Sequence, residues 1–265
     1  MAALLPLLLT LLSAAPAEAG GPVCRTADGK TVCGYSCVTD SFGTKCAQTP
    51  QGRCKVVEGQ AACFDPPAYI VRIYGSSLPE PECRAQDGQT VCGYRCAADF
   101  GDVKCARTPK GVCHARSGKV TCFDPPPVVY ASWGSATPAP ECKTYGQQVA
   151  CGYGCVSGAE GLACARTPAG LCRTQAGRVS CFDPAPEAIC ALGRDLPPQQ
   201  CRASDGGAVC GYACTTAFSR SACARTPQGI CKVTDAEVTC FDPPLLPPTG
   251  SACLGLLGLA ALDAG

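Results

Sequence analysis

Apolar residues along this chain come in short runs, broken every few positions by Gly, Asp or Pro, and many of the runs are symmetrical about a turn pair. In CRTADGKTVC, residues 24–33, Asp28-Gly29 stands at the centre of a cysteine-bounded segment. Asp-Gly is a strong signal for a two-residue type I′ hairpin turn. With those two residues as the turn, Ala27 pairs with Lys30, Thr26 with Thr31 and Arg25 with Val32. Cys24 then faces Cys33 at a non-hydrogen-bonded site, where Cα atoms lie ~4.5 Å apart, within reach of a disulfide. The same logic applies around Asp87-Gly88 and Asp205-Gly206, and with a weaker turn pair at Gly146-Gln147. It applies again to CKVVEGQAAC around Glu58-Gly59, and to the segments centred on Ser117-Gly118, Ala176-Gly177 and Asp235-Ala236. The pattern predicts short β-hairpins and little or no helix. The x3 spacing in CGYSC also reads as one helical turn, although Gly34 and its surroundings argue against a long helix.

The hairpin segments belong to a repeat. Cysteines stand at 24, 33, 37, 46, 54 and 63, and the set recurs every 59 residues with the spacing C-x8-C-x3-C-x8-C-x7-C-x8-C and no insertion. The hairpin reading pairs Cys24 with Cys33, Cys54 with Cys63, Cys83 with Cys92, Cys113 with Cys122, Cys142 with Cys151, Cys172 with Cys181, Cys201 with Cys210, and Cys231 with Cys240. Cys37, Cys46, Cys96, Cys105, Cys155, Cys164, Cys214 and Cys223 complete the four sets. Cys190 and Cys253 are left over and are expected to pair, clamping the fourth unit. The fold expected is small, disulfide-rich and mostly β: four tandem six-cysteine modules of short hairpins, at 24–67, 83–126, 142–185 and 201–244, joined by Pro-rich connectors at 68–82, 127–141 and 186–200. A unit of this size buries too little apolar surface to hold itself, whereas each disulfide contributes ~2–4 kcal/mol, chiefly by restricting the unfolded chain. The connector centres, Tyr69–Tyr74 and Val128–Trp133, are apolar and β-prone, so each is expected to add a strand to a neighbouring unit.

Composition sets the compartment. The chain has 265 residues and 26 cysteines, a density that marks a disulfide scaffold. Residues 1–19 look like a secretory signal peptide, with an apolar run from Leu4 to Ala14 and a small-x-small site at Ala17-Glu18-Ala19. Export to an extracellular or periplasmic, oxidising space follows, and there paired cysteines become disulfides. The stretch 245–265 is Pro-rich and then apolar, from Leu254 to Leu262, too short to span a bilayer. Lys plus Arg (22) nearly balances Asp plus Glu (21), so no large field exists to steer nucleic acid or an anionic membrane. His114 is the one histidine, and Lys55, Arg173 and Lys232 replace it in the other copies. No catalytic or nucleotide-binding motif is present, and dense cysteine without CxxC pairs or histidines does not read as zinc binding. The chain is therefore read as a non-enzyme without a cofactor or metal.

Two recurring words carry the remaining signal. CFDP recurs with Asp65, Asp124, Asp183 and Asp242 before proline. Such an Asp binds backbone amides and sets a turn, and the Phe before it is expected to cover the disulfides. The Tyr of CGY, at 35, 94, 153 and 212, reads as core. The second word is CAQTPQGRC at 46–54, CARTPKGVC at 105–113, CARTPAGLC at 164–172 and CARTPQGIC at 223–231. Taken alone, this word is similar to the reactive loop of Bowman–Birk serine-protease inhibitors, which also spans seven residues between cysteines. That resemblance implies a trypsin-like contact at Arg107, Arg166 and Arg225, with Gln48 making the first copy silent. It also requires Cys105 to bond Cys113, whereas the hairpin reading bonds Cys113 to Cys122. Its proline, Pro109, lacks an N–H that an extended inhibitor strand normally donates. As a corner, Thr-Pro followed by Gly is simply a turn.

As a whole, CGYxC…CAxTPxGxC…CFDP resembles secreted, cysteine-rich repeat proteins of bacterial origin, some of which carry Trp in place of the Phe. The resemblance covers all four units and implies export and disulfides. The function expected is extracellular binding or a structural role, with an unknown protein or glycan as partner, no nucleic acid and no stable membrane span. Four similar copies suit multivalent binding, and specificity is expected at residues 55–62 and their equivalents, which vary between copies.

Overall fold

The computed structural model describes residues 21–205, 207–245, 253 and 255. The expected signal peptide at 1–19 and most of the stretch 245–265 lie outside the described residues. The first unit contains β1 (Val23–Ala27), β2 (Lys30–Asp40), β3 (Gly43–Ala47), β4 (Arg53–Val57) and β5 (Gln60–Phe64). The second contains β6 (Glu82–Gln86), β7 (Gln89–Asp99), β8 (Asp102–Ala106), β9 (Val112–Arg116) and β10 (Lys119–Phe123). The third contains β11 (Glu141–Tyr145), β12 (Gln148–Gly158), β13 (Gly161–Ala165), β14 (Leu171–Gln175) and β15 (Arg178–Phe182). The fourth contains β16 (Gln200–Ser204), β17 (Gly207–Ala217), β18 (Arg220–Ala224), β19 (Ile230–Thr234) and β20 (Glu237–Phe241). Each unit holds a three-stranded and a two-stranded antiparallel sheet.

The first and last hairpins of each unit form in the register that the turn pairs dictate. Cys24 stands opposite Cys33, Arg25 opposite Val32, Thr26 opposite Thr31 and Ala27 opposite Lys30. Cys54 stands opposite Cys63. Both turn residues take positive φ at Asp28 (49°) and Gly29 (74°), the signature of a type I′ turn, and likewise at Glu58-Gly59, Asp87-Gly88, Ser117-Gly118, Ala176-Gly177 and Asp235-Ala236; at Gly146-Gln147 only the glycine does. A third hairpin lies between them. The second half of β2 pairs with β3, after a register shift between Tyr35 and Val38, and Cys37 bonds Cys46 with Cα atoms 4.0 Å apart. So the x3 spacing of CGYSC is a bulge, not a helical turn. At its x position the backbone is left-handed, with φ of 47° at Ser36, 45° at Arg95, 50° at Gly154 and 43° at Ala213.

The bulge folds the long strand back on itself. In the fourth unit Asp205 and Ser219 belong to turns at opposite ends of β17. An extended strand of that length would separate them by ~35 Å, yet the Asp205 N–H donates to the Ser219 carbonyl at 2.9 Å. The first and second hairpins therefore lie against each other. The Cys37 sulfur rests 3.7 Å from the Val23 carbonyl and the Cys46 sulfur 3.7 Å from the Val32 carbonyl, which sets the second disulfide directly on the first hairpin. The second and third hairpins are tied by Lys45 Nζ, which donates to the Ala61 carbonyl at 2.8 Å.

Units then stack on one another. Phe64 meets Tyr94 edge to face at 5.5 Å, Phe123 meets Tyr153 at 5.9 Å, and Phe182 meets Tyr212 at 5.6 Å. The Phe of CFDP at 64, 123 and 182 thus packs against the next unit's Tyr. The Tyr of CGY is core at these three junctions. The molecule is a continuous stack of hairpins, disulfide-rich and mostly β.

The connectors depart from expectation. Ala68–Tyr74 (α1), Pro127–Trp133 (α2) and Pro186–Leu192 (α3) are short α-helices, not strands. Intrinsic β-propensity loses to local and tertiary terms. Proline sits at the start of α2 and α3, where its fixed φ suits a helix. Gly75, Gly134 and Gly193 end the helices at φ of 52–58°. Each helix also gains a buried face. Tyr69, Ile70 and Tyr74 pack on Tyr130, and Val128 and Val129 pack in one cluster with Ile189 and Cys253. This helical spine is closed by the Cys190–Cys253 disulfide. All thirteen pairs are formed: twelve join cysteines nine apart, and no free cysteine remains.

Candidate functional site

The CAxTPxGxC word is a corner between the second and third hairpins of its unit. Its cysteines do not bond each other. Cys105 bonds Cys96, and Cys113 bonds Cys122, so the disulfide-closed loop that inhibitor-like presentation requires is not formed. The corner is held instead by the CFDP carboxylate. Asp124 accepts hydrogen bonds from the Arg107 N–H (3.0 Å), the Thr108 N–H (2.8 Å) and the Thr108 hydroxyl (2.7 Å). Asp65, Asp183 and Asp242 make the same three-point grip on their corners. A further turn bond runs from the Gly111 N–H to the Thr108 carbonyl at 2.9 Å. The glycine is required by space: a Cβ on Gly111 would stand 2.5 Å from the Ala106 Cβ and overlap the Asp124 carboxylate. Ala, Thr, Gly and Asp are thus parts of one lock.

The side chains of Gln48, Arg107, Arg166 and Arg225 project into solvent from these corners. The backbone N–H of each Arg is already committed to an Asp. His114 lies half-buried on β9 opposite Thr121. Among the described residues no group of three or more His, Cys, Asp or Glu side chains is placed to hold a metal ion. No helix there is long and apolar enough to cross a membrane.

The hairpin tips gather along one edge. Within the first unit the Ala61 N–H reaches Asp40 beside the second turn at 2.6 Å. The Thr90 hydroxyl reaches the Val57 carbonyl across the first junction at 3.4 Å. Further along, the Gly118 N–H reaches Asp99 at 2.9 Å, Ser117 reaches Gln147 across the second junction at 3.2 Å, and the Glu160 N–H reaches the Gly177 carbonyl at 3.1 Å. Two backbone amides, Ala61 and Phe42, hold the Asp40 carboxyl below the usual carboxylate range, and the Val120 amide and Lys104 do the same for Asp102.

This edge carries residues that sequence reasoning passed over. Phe42, Phe100 and Phe218 occupy the second-hairpin turns and are 80%, 87% and 88% exposed. Phe100 and Phe218 hold this place at φ of 32° and 52°, a conformation that bulky side chains rarely adopt. The third unit has Ala159-Glu160 there. The signal was legible as an aromatic inside a turn-forming string (DSFGT, DFGD, AFSR), but it lacks a fixed column in the repeat. Residues 55–62, where specificity was expected, form the neighbouring third hairpin.

One cleft contains buried hydroxyls without a hydrogen-bond partner among the described residues. Tyr74 and Tyr94 place their hydroxyls there, beside Glu80, Glu82, Arg95 and Lys110. Burial pushes the Tyr94 phenol up to about 12. Comparison of the chain with protein-family models, with curated proteins and with solved structures gave no match.

Proposed function

We propose that this is a secreted, non-enzymatic repeat protein that binds an extracellular protein or glycan multivalently through its row of hairpin tips. The observation that carries the reading is the trio Phe42, Phe100 and Phe218, held out in solvent on equivalent turns of a stapled frame. A solvent-exposed aromatic gains nothing in folding and supplies an adaptable contact face to a partner. Thirteen disulfides fit an oxidising compartment, and the likeness to secreted bacterial cysteine-rich repeat proteins points the same way. Rigid spacing of the copies raises effective concentration once one tip engages.

The test is binding of the labelled, oxidised protein to a panel of insoluble polysaccharides and to intact cell surfaces. Replacing one, two and then three of these Phe by Ser is expected to weaken binding stepwise, by about 5–10-fold per tip. Unchanged binding by the triple variant contradicts the reading, and so does turnover of a small substrate. The protease-inhibitor alternative at Arg107, Arg166 and Arg225 has less support, because its loop is not disulfide-closed. Trypsin titrated with the intact protein is expected to keep full activity at micromolar concentration, with Arg107→Ala making no difference.

A further inference from the structure

Among the described residues the hairpin stack has two uncovered ends, and its internal junctions show what each end lacks. At every internal junction the third hairpin of one unit packs on the first hairpin of the next. The Phe of the former unit meets the Tyr of the latter, and Tyr94, Tyr153 and Tyr212 are consequently only 4%, 7% and 3% exposed. At the far end Phe241 meets no further unit among the described residues and is 63% exposed, with Ile230 and Val233 open beside it. At the near end Tyr35 meets no preceding unit among the described residues, is the one Tyr of the four that is not buried, and lies near the open Val23.

The repeat period fixes which residues would meet if one copy followed another. In the third junction Arg178 lies against Gly207, where a Cβ would stand 3.9 Å from the Arg178 Cβ. Carried along by the 59-residue period, that pair becomes Glu237 of one copy and Lys30 of the next. Both are exposed, and their charges are opposite. The internal equivalents are Gln60 with Gln89, Lys119 with Gln148, and Arg178 with Gly207, none of them a charge pair. In the first junction the Thr90 hydroxyl donates to the Val57 carbonyl. The same transfer places Thr31 against the backbone of Thr234.

We propose that the two ends are complementary and that copies of this chain join head to tail, Phe241 docking against Tyr35 and Glu237 pairing with Lys30. Such a contact is heterologous, so it does not close on itself and extends the hairpin stack into a fibre. It uses the ends of the stack, not the tip row, and stands or falls independently of the binding proposed above.

Sedimentation velocity of the exported, oxidised protein from about 1 to 200 µM, the range of weak self-association, tests this. The mass is expected to rise with concentration past the dimer. Phe241→Ala is expected to weaken association about 10-fold or more. Lys30→Glu is expected to weaken it too, and combining it with Glu237→Lys restores it. Copies carrying Phe241→Asp, added to native protein, are expected to shorten the assemblies. These side chains are exposed, so the variants leave the fold intact, which unchanged circular dichroism checks. A constant monomer mass across the range overturns the proposal. Association that survives both Phe241→Asp and Lys30→Glu overturns it as well, as does association lost on replacing Phe42, Phe100 and Phe218.

Discussion

A single carboxylate organises each corner of this molecule. Asp124 satisfies two backbone N–H groups and one hydroxyl, and Thr108 is almost fully buried beneath it. Asn would keep the shape but turn an amide N–H₂ toward donors. Asp124→Asn is expected to cost about 1–3 kcal/mol, the penalty for buried donors left unpaired, read as a fall in the denaturant midpoint. The left-handed residue of each bulge gives a test of opposite sign. Ala213 sits at φ 43° where the third unit has Gly154. Ala213→Gly removes a Cβ clash of about 1–2 kcal/mol and gives back part of it in unfolded-chain entropy. A net gain of about 0.5–1 kcal/mol is expected in the same assay.

At the scale of elements, the Phe–Tyr junction and the helices bind the units together. Phe182→Ala removes a half-buried ring and its edge-to-face contact with Tyr212, and is expected to cost about 2 kcal/mol. Phe241→Ala, on the same repeat position without a partner, is expected to change monomer stability by less than about 0.5 kcal/mol. The tip edge has its own pH signature. The lowered carboxyl of Asp40 means that the folded state favours its ionised form. Its contribution is complete above the ordinary carboxylate pKa of ~3.9 and is lost as pH falls through the lowered folded value. The Ala61 amide, which donates to it, is expected to lose hydrogen-exchange protection in that acid window before the hairpins separate.

Much of this was readable from the residues. Asp-Gly and Glu-Gly pairs at fixed distance from cysteines determine register by themselves, because a two-residue turn leaves one alignment of the arms. Asp before Pro announced a backbone-binding carboxylate. The second hairpin was not legible, because its turns vary in sequence and its strand begins at a bulge whose residue is Ser, Arg, Gly or Ala. The connectors misled for a physical reason: Val, Ile and Tyr favour strands only until a helix offers them a buried neighbour, as Tyr130 finds against Tyr69 and Tyr74. The role of the CFDP Phe depended on a contact 30 residues away, which no local pattern encodes.

Over the whole molecule, stability and organisation come from stacking neighbours rather than from one core, and the frame is stapled hairpin by hairpin. The Cys190–Cys253 bond ties Cys253 to α3 across 63 residues. Its loss by Cys190→Ala with Cys253→Ala is expected to loosen the helical spine at α3, seen as faster proteolysis of residues 186–200, while the first two units keep their protection. The central claim is that every unit is three separately stapled hairpins meeting at carboxylate-locked corners. A disulfide map by proteolysis and mass spectrometry tests it most directly. The result expected is Cys24–Cys33, Cys37–Cys46 and Cys54–Cys63, repeated in each unit, plus Cys190–Cys253. A bond across the corner, such as Cys105–Cys113, would contradict it.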